Sequence, residues 1–340
     1  MKRILGLGWI TLTLTFLSCS DDKRDLPEDY WVKIRVDPTV ELFCTIHRLA
    51  RTGVDYTNEL PGYIEEIEEY FDPFRDHRAV ILAKRLWETH RINLSALSTL
   101  VVYFGPPPQL VARNKMDPLP AELDSRWTAD VIPEFIEAAR EFSRDTNYMA
   151  FFDHDRDLFD LSFVSLYESL NDEDMLSWFQ NYFGYVPGNY TIIVCMQTGV
   201  GNYGASITRG DGTNEFFSIV GAHSPFFWSK VPRFSRWLIS TVVHEFCHPY
   251  INPLVVQDGE LFKESAEIVY PYHKAKLTKA GCLSWQGMMN EYIVRACVIR
   301  YFHSKKNKRA VGRQISRDEE QGFIGIRPFT DLFEEYEQNR

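Results

Sequence analysis

The stretch Thr241-Val-Val-His244-Glu245-Phe-Cys-His248 contains the pattern H-E-x-x-H. Residues four apart on an α-helix lie on one face, so the His244 and His248 imidazoles can reach a single metal ion. Glu245 stands beside the first histidine, where a carboxylate can act as a base towards water. The pattern therefore predicts a helix that carries two zinc ligands, His244 and His248, and a catalytic base, Glu245.

The residues around this motif are apolar on nearly every side of the predicted helix, which is typical of a buried helix. They are Phe234, Trp237, Leu238, Ile239, Val242, Val243 and Phe246. Buried histidine and glutamate side chains are costly without partners, and a metal ion supplies one. The alternative is a buried histidine pair that is hydrogen-bonded to the backbone. Pro249 cannot donate a backbone hydrogen bond, so we expect the helix to end or kink at His248.

A catalytic zinc ion needs a third protein ligand and keeps a fourth position for water. Three downstream glutamates are candidates: Glu264, Glu267 and Glu291. The first two fall with other charged residues on one stripe of a helix predicted over 259–270 and ended by Pro271. This position favours a solvated face for Glu264 and Glu267.

Glu291 lies in a different setting, a helix predicted over 284–304 that is apolar all round. Glu291 and Arg295 are its polar exceptions, one turn apart, and a buried carboxylate needs a metal or a counter-ion. We therefore favour Glu291 as the third ligand, with Arg295 orienting it or contacting substrate. The alternative is a buried Glu291–Arg295 ion pair without a metal.

The strand signal is concentrated just before the motif helix. A β-branched run covers 190–196, and strand patterns flank an Asp211-Gly212 turn. Between them, residues 199–204 fit the pattern G-x-G-x-x-G. A dinucleotide site needs a helix directly after these glycines, and no helix pattern follows, so we exclude one. The glycines instead indicate a close backbone approach or a sheet edge. We predict an α+β protein, mainly helical and zincin-like, with a small, largely antiparallel sheet before the motif helix.

The first residues predict a bacterial lipoprotein. Lys2-Arg3 precedes an apolar stretch over 4–17, and Leu17-Ser18-Cys19 resembles a lipobox, so we expect Cys19 to be lipidated; a plain cleaved signal is the alternative. The acidic segment after Cys19 resembles the surface-export signal of Bacteroidota lipoproteins. This resemblance implies an outer-membrane protein of a Gram-negative bacterium, facing outward.

Four segments follow from these patterns. They are a signal peptide (1–18), a tether (19–34), a helical region (35–185) and a zincin-like catalytic region (186–340), with 35–340 as one continuous domain in the alternative division. The chain has 340 residues, 45% of them hydrophobic, which is enough for a substantial core. Its formal net charge is −10 and no basic face is clustered, so we expect no nucleic-acid partner, and the missing helix after the glycine pattern argues against a nucleotide.

The sequence His-Glu-Phe-Cys-His-Pro-Tyr-Ile-Asn-Pro-Leu over 244–254, with Trp285 and Asn-Glu-Tyr-Ile-Val-Arg-Ala over 290–296, resembles a family of Bacteroidota lipoproteins of the gluzincin type. The segments 36–42 and 322–336 also resemble it. The resemblance implies a zinc metallopeptidase in which His244, His248 and Glu291 bind zinc and Glu245 is the catalytic base.

Together these features predict a zinc-dependent peptidase, with a peptide or protein substrate and a membrane anchor at Cys19. Candidate oxyanion donors are Tyr203, Tyr250, Tyr270, His273 and Arg295, and Tyr203 is also a candidate for orienting the site or contacting substrate. The rival hypothesis is a non-enzymatic surface lipoprotein that binds a peptide, glycan or protein, with zinc structural or absent. A fourth side chain closing the metal site, such as His273 or Cys282, would favour that rival. A zinc hydrolase acting on a non-peptide amide is a third hypothesis.

Overall fold

The computed structural model describes residues 32–50, 59–170, 174–224 and 231–339. The predicted signal peptide, the lipidation site Cys19 and the tether up to residue 31 lie outside the described residues. All the described residues belong to one compact unit, Trp31–Arg340.

The described residues form thirteen α-helices, two 3-10 helices and four β-strands. In chain order the strands are β1 (Lys33–Val36), β2 (Asn189–Cys195), β3 (Asn202–Thr208) and β4 (Asn214–Gly221). The helices are α1 (Pro38–Ala50), α2 (Pro61–Phe71), α3 (Arg78–His90), α4 (Leu94–Val101), α5 (Val131–Asp145), α6 (Tyr148–His154), α7 (Arg156–Leu170), α8 (Met175–Phe183), α9 (Leu238–Asp258), α10 (Lys263–Lys279), α11 (Trp285–Ser304), α12 (Lys308–Glu320) and α13 (Ile326–Asn339). The short 3-10 helices are Asp72–Phe74 and Gly259–Leu261.

Helix accounts for 63% of the structure, and the sheet is small and mixed, so the predicted α+β class is confirmed. Within the described part of the chain, no helix is both long and apolar enough to cross a bilayer.

The sheet has the order β1-β2-β4-β3. Only β3 and β4 pair antiparallel, through the predicted Asp211-Gly212 turn, where Gly212 adopts a φ of 85°. The β1–β2 and β2–β4 pairs are parallel, so the expectation of a largely antiparallel sheet was wrong. The chain carries β3 to the outer edge before β4 returns between β2 and β3, and strand patterns alone do not encode that order.

Helices cover both faces of this sheet. Helix α1 begins at Asp37, whose carboxylate accepts the Thr39 backbone N–H at 2.9 Å and caps the first turn, as the Asp-Pro sequence predicts. Side chains of α1 and α4 lie beside Tyr203 of β3 on one face. On the other face α9 packs against β3 and β4. The motif helix is thus held directly under the edge of the sheet.

Helices α9 and α11 pack together and carry the site residues. Nine consecutive residues of α11, from Val294 to Phe302, are buried, as its largely apolar sequence predicts. The helix does not end at His248, since α9 continues through Pro249 and Pro253 to Asp258. Each proline removes one backbone hydrogen bond, while Tyr250, Ile251 and Val255 of the same segment are buried. Helix α10 likewise continues through Pro271.

His47 on α1 gives the fold a predicted acid sensitivity. It is fully buried, and burial lowers its pKa to about 4. Between about pH 6.5 and pH 4 the unfolded chain binds a proton at this histidine that the folded chain does not. The free energy of unfolding should therefore fall by roughly 3 kcal/mol over that window because of His47. Urea unfolding at pH 7 and pH 4 measures the change.

The His47→Gln variant should lose most of this pH dependence. The matched control is His303→Gln, at an exposed position, which should keep the wild-type dependence. An unchanged pH dependence in His47→Gln would contradict the assignment.

Candidate metal centre and cleft

Three side chains from α9 and α11 converge on one point. His244 Nε2 lies 3.2 Å from His248 Nε2, and Glu291 Oε1 lies 3.5 Å from each of these nitrogens. The histidines come from consecutive turns of α9, and the glutamate comes from the adjacent α11. Among the described residues, these three form the one group of His, Cys, Asp and Glu side chains close enough together to hold a metal ion.

The charges in this cluster favour an ionised Glu291. Burial by itself raises the pKa of Glu291, but His244, His248 and Arg295 together hold it well below its usual range. Burial lowers the pKa of His248, but its hydrogen bond and attraction to Glu291 raise it to about 9. The cluster therefore stabilises an ionised Glu291 carboxylate next to positively charged groups.

Arg295 fixes the carboxylate from behind. Its Nε donates to Glu291 Oε2 at 3.0 Å, which leaves Oε1 directed at the histidines. Its Nη1 donates to Asp318 at 2.6 Å and to Gln321 at 2.7 Å, and its guanidinium lies 4.1 Å from the Phe323 ring centroid. The Glu291–Arg295 ion pair is therefore present, and it uses one carboxylate oxygen while the other faces the cluster. Arg295 orients Glu291.

Asn252 orients His248 in the same way. Its Oδ1 lies 3.1 Å from His248 Nδ1, where it can accept the Nδ1 hydrogen, and this contact leaves Nε2 directed into the cluster. Sequence reasoning missed Asn252, although its position four residues after His248 on the same helix was a usable signal.

Neither rival glutamate joins the cluster. Glu264 and Glu267 are exposed on α10, as the polar stripe predicts. Two apolar residues of α10 are exposed as well, Ile268 by 59% and Val269 by 40%. His273 and Cys282, the side chains considered for a fourth ligand, are also outside the cluster.

A cleft of about 510 Å³ opens beside the cluster. One wall is the motif helix, through Glu245, His248, Pro249, Asn252 and Pro253, and the other is strand β3. A cleft at this position gives solvent and ligands access to the three converging side chains.

The strand wall of the cleft is β3, which is the edge strand of the described sheet. Arg209 N–H donates to Thr213 in the β3–β4 turn, so in an antiparallel ladder the backbone groups of Thr208, Ser206 and Gly204 face away from β4. The Asn114 side chain accordingly donates to the Thr208 carbonyl at 2.5 Å.

Gly204 brings this edge against the motif helix. A Cβ at position 204 would overlap Glu245 Oε2 and come within 3.1 Å of Glu245 Cδ. The glycine pattern over 199–204 thus marks a close backbone approach at a sheet edge, as the sequence indicated.

The proposed oxyanion donors lie away from the cleft. Tyr203 neighbours Gly204, so its side chain points to the opposite face, into a small cavity with Val40 and Cys44. This placement corrects the suggestion that Tyr203 contacts substrate. Tyr250 is buried and stacks on Phe183, and Tyr270 donates to the Cys282 carbonyl.

Fold and site together define an α+β protein with a His-His-Glu centre beside a sheet-edge cleft. A family model described as "Domain of unknown function (DUF4932)" matches residues 34–340, and the chain belongs to this family. No curated protein and no solved structure matches this chain.

Proposed function

We propose that the protein is a zinc-dependent peptidase of the gluzincin type with a zincin-like fold. The observation that carries the proposal is the triangle of donor atoms, with edges of 3.2, 3.5 and 3.5 Å. Ligand atoms bound tetrahedrally about 2.0–2.2 Å from zinc lie roughly 3.3–3.6 Å from one another. The spacing and the N,N,O donor set therefore both fit zinc, and His244, His248 and Glu291 would hold it.

A zinc ion held there would supply Lewis acidity, lowering the pKa of a water ligand towards about 7 and polarising a carbonyl. Glu245 projects into the cleft from the same helix as the two histidines. Its carboxylate takes the proton of the attacking water and passes it to the departing amine. Arg295 and Asn252 keep Glu291 and His248 aimed at the metal position.

The outward backbone groups of β3 support a peptide as the substrate. An extended peptide can add to a free sheet edge through main-chain hydrogen bonds, which align it without reading its side chains. Gly204 and Ser206 offer such groups beside Glu245. A peptide bound there would pass Glu245.

The described residues provide three ligands and no fourth from His, Cys, Asp or Glu, which favours an open site over a closed structural one. The experiment is cleavage of an unstructured protein, followed by mass spectrometry, with zinc-loaded, chelated and zinc-restored samples. Cleavage in the first and third samples alone is expected. Binding of the same protein without cleavage in any sample would instead support the non-enzymatic binding protein.

The Gly204→Ala variant should lose activity without losing its fold. The new methyl group meets the end of the Glu245 side chain, which can move, so the cost in stability is small. Displacing a catalytic base by about 1 Å is expected to lower kcat/KM about 100-fold. Zinc content and melting temperature should stay near wild type.

The control is Gly210→Ala, because an added Cβ there meets nothing within 4 Å. It should retain wild-type activity. Equal activities for the two variants would contradict the placement of Glu245.

We also propose that Cys19 anchors the protein to the outer membrane of a Bacteroidota-like bacterium. The proposal rests on the lipobox-like Leu-Ser-Cys sequence and the acidic residues after it. Incorporation of labelled palmitate that is lost in Cys19→Ser tests it. Equal labelling of both proteins would contradict it.

A further inference from the structure

The cleft carries a second carboxylate far from the metal centre, that of Glu122. Glu122 accepts a hydrogen bond from the Thr208 hydroxyl at 2.9 Å, at the end of β3. Gly204, beside Glu245, lies four residues earlier on the strand, which is about 13 Å at the rise of a β-strand. Glu122 and Glu245 therefore lie near opposite ends of the strand wall.

The charged side chains that line this cleft are mainly acidic. Its charged lining residues, within the described ranges, are Glu122, Glu245 and His248, with no lysine or arginine. The groups beside the Glu122 carboxylate that the described residues supply are hydroxyls, those of Thr208 and Tyr103. A carboxylate that is exposed in a cleft and has no cation beside it attracts a cationic ligand group.

The loop that carries Glu122 is held in place. The next residue, Leu123, is buried, and Asp124 N–H donates to Thr99 on α4. The Trp127 indole donates to the Ala96 carbonyl at 2.7 Å. These contacts fix the distance between Glu122 and the edge strand, so the carboxylate is a defined feature of the cleft.

We infer that Glu122 selects substrates with a lysine or arginine about four residues to the amino-terminal side of the residue that pairs with Gly204. This inference rests on the proposed function. Antiparallel pairing with the outward backbone groups of Gly204 and Ser206 is the more stable arrangement, and it directs the amino-terminal part of the peptide towards Glu122, at Thr208, where Asn114 already occupies the backbone carbonyl. The cationic side chain then meets Glu122 while the scissile bond lies at Glu245.

The test measures binding separately from cleavage. The full chain carrying Glu245→Gln is loaded with zinc and titrated with fluorescent decapeptides of Ala, Gly and Ser that contain one Lys or one Glu at successive positions. An attractive pair compared with a repulsive one should give about tenfold tighter binding of the lysine peptide at low salt. The preference should shrink as the salt concentration rises.

Three further substitutions sharpen the result. Glu122→Gln should abolish the preference, Glu122→Lys should reverse it, and the exposed control Glu264→Gln should leave it unchanged. A lysine preference that survives in Glu122→Gln would overturn the inference. A preference for lysine on the carboxyl-terminal side would overturn the antiparallel placement.

Cleavage by the chain with Glu245 intact separates this inference from the proposed function. Selective binding dependent on Glu122, without cleavage by the zinc-loaded protein, supports the inference and contradicts the peptidase. Zinc-dependent cleavage that is indifferent to charge supports the peptidase and contradicts the inference.

Discussion

Replacing Glu245 by glutamine is expected to lower kcat/KM for peptide hydrolysis about 10²- to 10⁴-fold, the usual contribution of a positioned general base. Glutamine keeps the size of the side chain but cannot take the proton of the attacking water. Glu245 is not one of the three converging donors, so bound zinc should stay at the wild-type level. Steady-state kinetics and metal content, measured on the same preparation, check both parts.

The matched control is Glu267→Gln, a substitution with the same chemistry at an exposed position on α10. It should retain wild-type activity and zinc. A Glu245→Gln protein that keeps both its zinc and its full activity would contradict the proposed role of Glu245 as the general base.

Replacing Glu291 by alanine should remove the third ligand. Loss of a residue that only orients a ligand commonly costs 10- to 100-fold in metal affinity, so losing the ligand itself should cost more than about 100-fold. The variant still leaves Asp318 and Gln321 as partners for the buried Arg295, which favours retention of the fold. Competition with a chelating dye measures the affinity, and circular dichroism checks the fold.

Glu267→Ala serves as the control, since Glu267 is the rival ligand by spacing and lies on the exposed face of α10. It should bind zinc as wild type does. Loss of zinc in Glu267→Ala with retention in Glu291→Ala would reverse the ligand assignment.

The sequence predicted the elements of this site better than their arrangement. The motif helix and the apolar α11 were predictable because buried ionisable residues in apolar helices need partners. Glu291 and Arg295 could be identified in this way before any geometry was known. The same pattern did not show that Glu291 divides its two oxygens between Arg295 and the histidines.

Asp318 shows why part of the site was hidden. It belongs to an acidic stretch with Glu319 and Glu320, a pattern that favours a solvated helix end. The structure buries Asp318 completely, because α12 packs against α11 and Arg295 meets it there. Only tertiary packing distinguishes it from its neighbours.

The error over Tyr203 has a simple cause. Side chains alternate across a strand, so the residue next to Gly204 points away from the motif helix. Without the register of β3, the sequence did not show whether Tyr203 or Gly204 faces the motif helix. The sheet order was hidden for a related reason, since β4 lies between two strands that precede it in the chain.

The rival binding-protein hypothesis differs from the peptidase in what the metal centre does. The open cleft, the edge strand β3 and the position of Glu245 all favour catalysis. These three features serve hydrolysis only when a metal ion is bound beside them. Zinc binding is therefore the central claim.

The most direct test is the zinc content of the purified wild-type chain, stripped with a chelator and then dialysed against zinc, by inductively coupled plasma mass spectrometry. The triangle formed by His244, His248 and Glu291 predicts about one zinc ion per chain. No zinc retained after reconstitution would contradict the metal centre and, with it, the proposed peptidase.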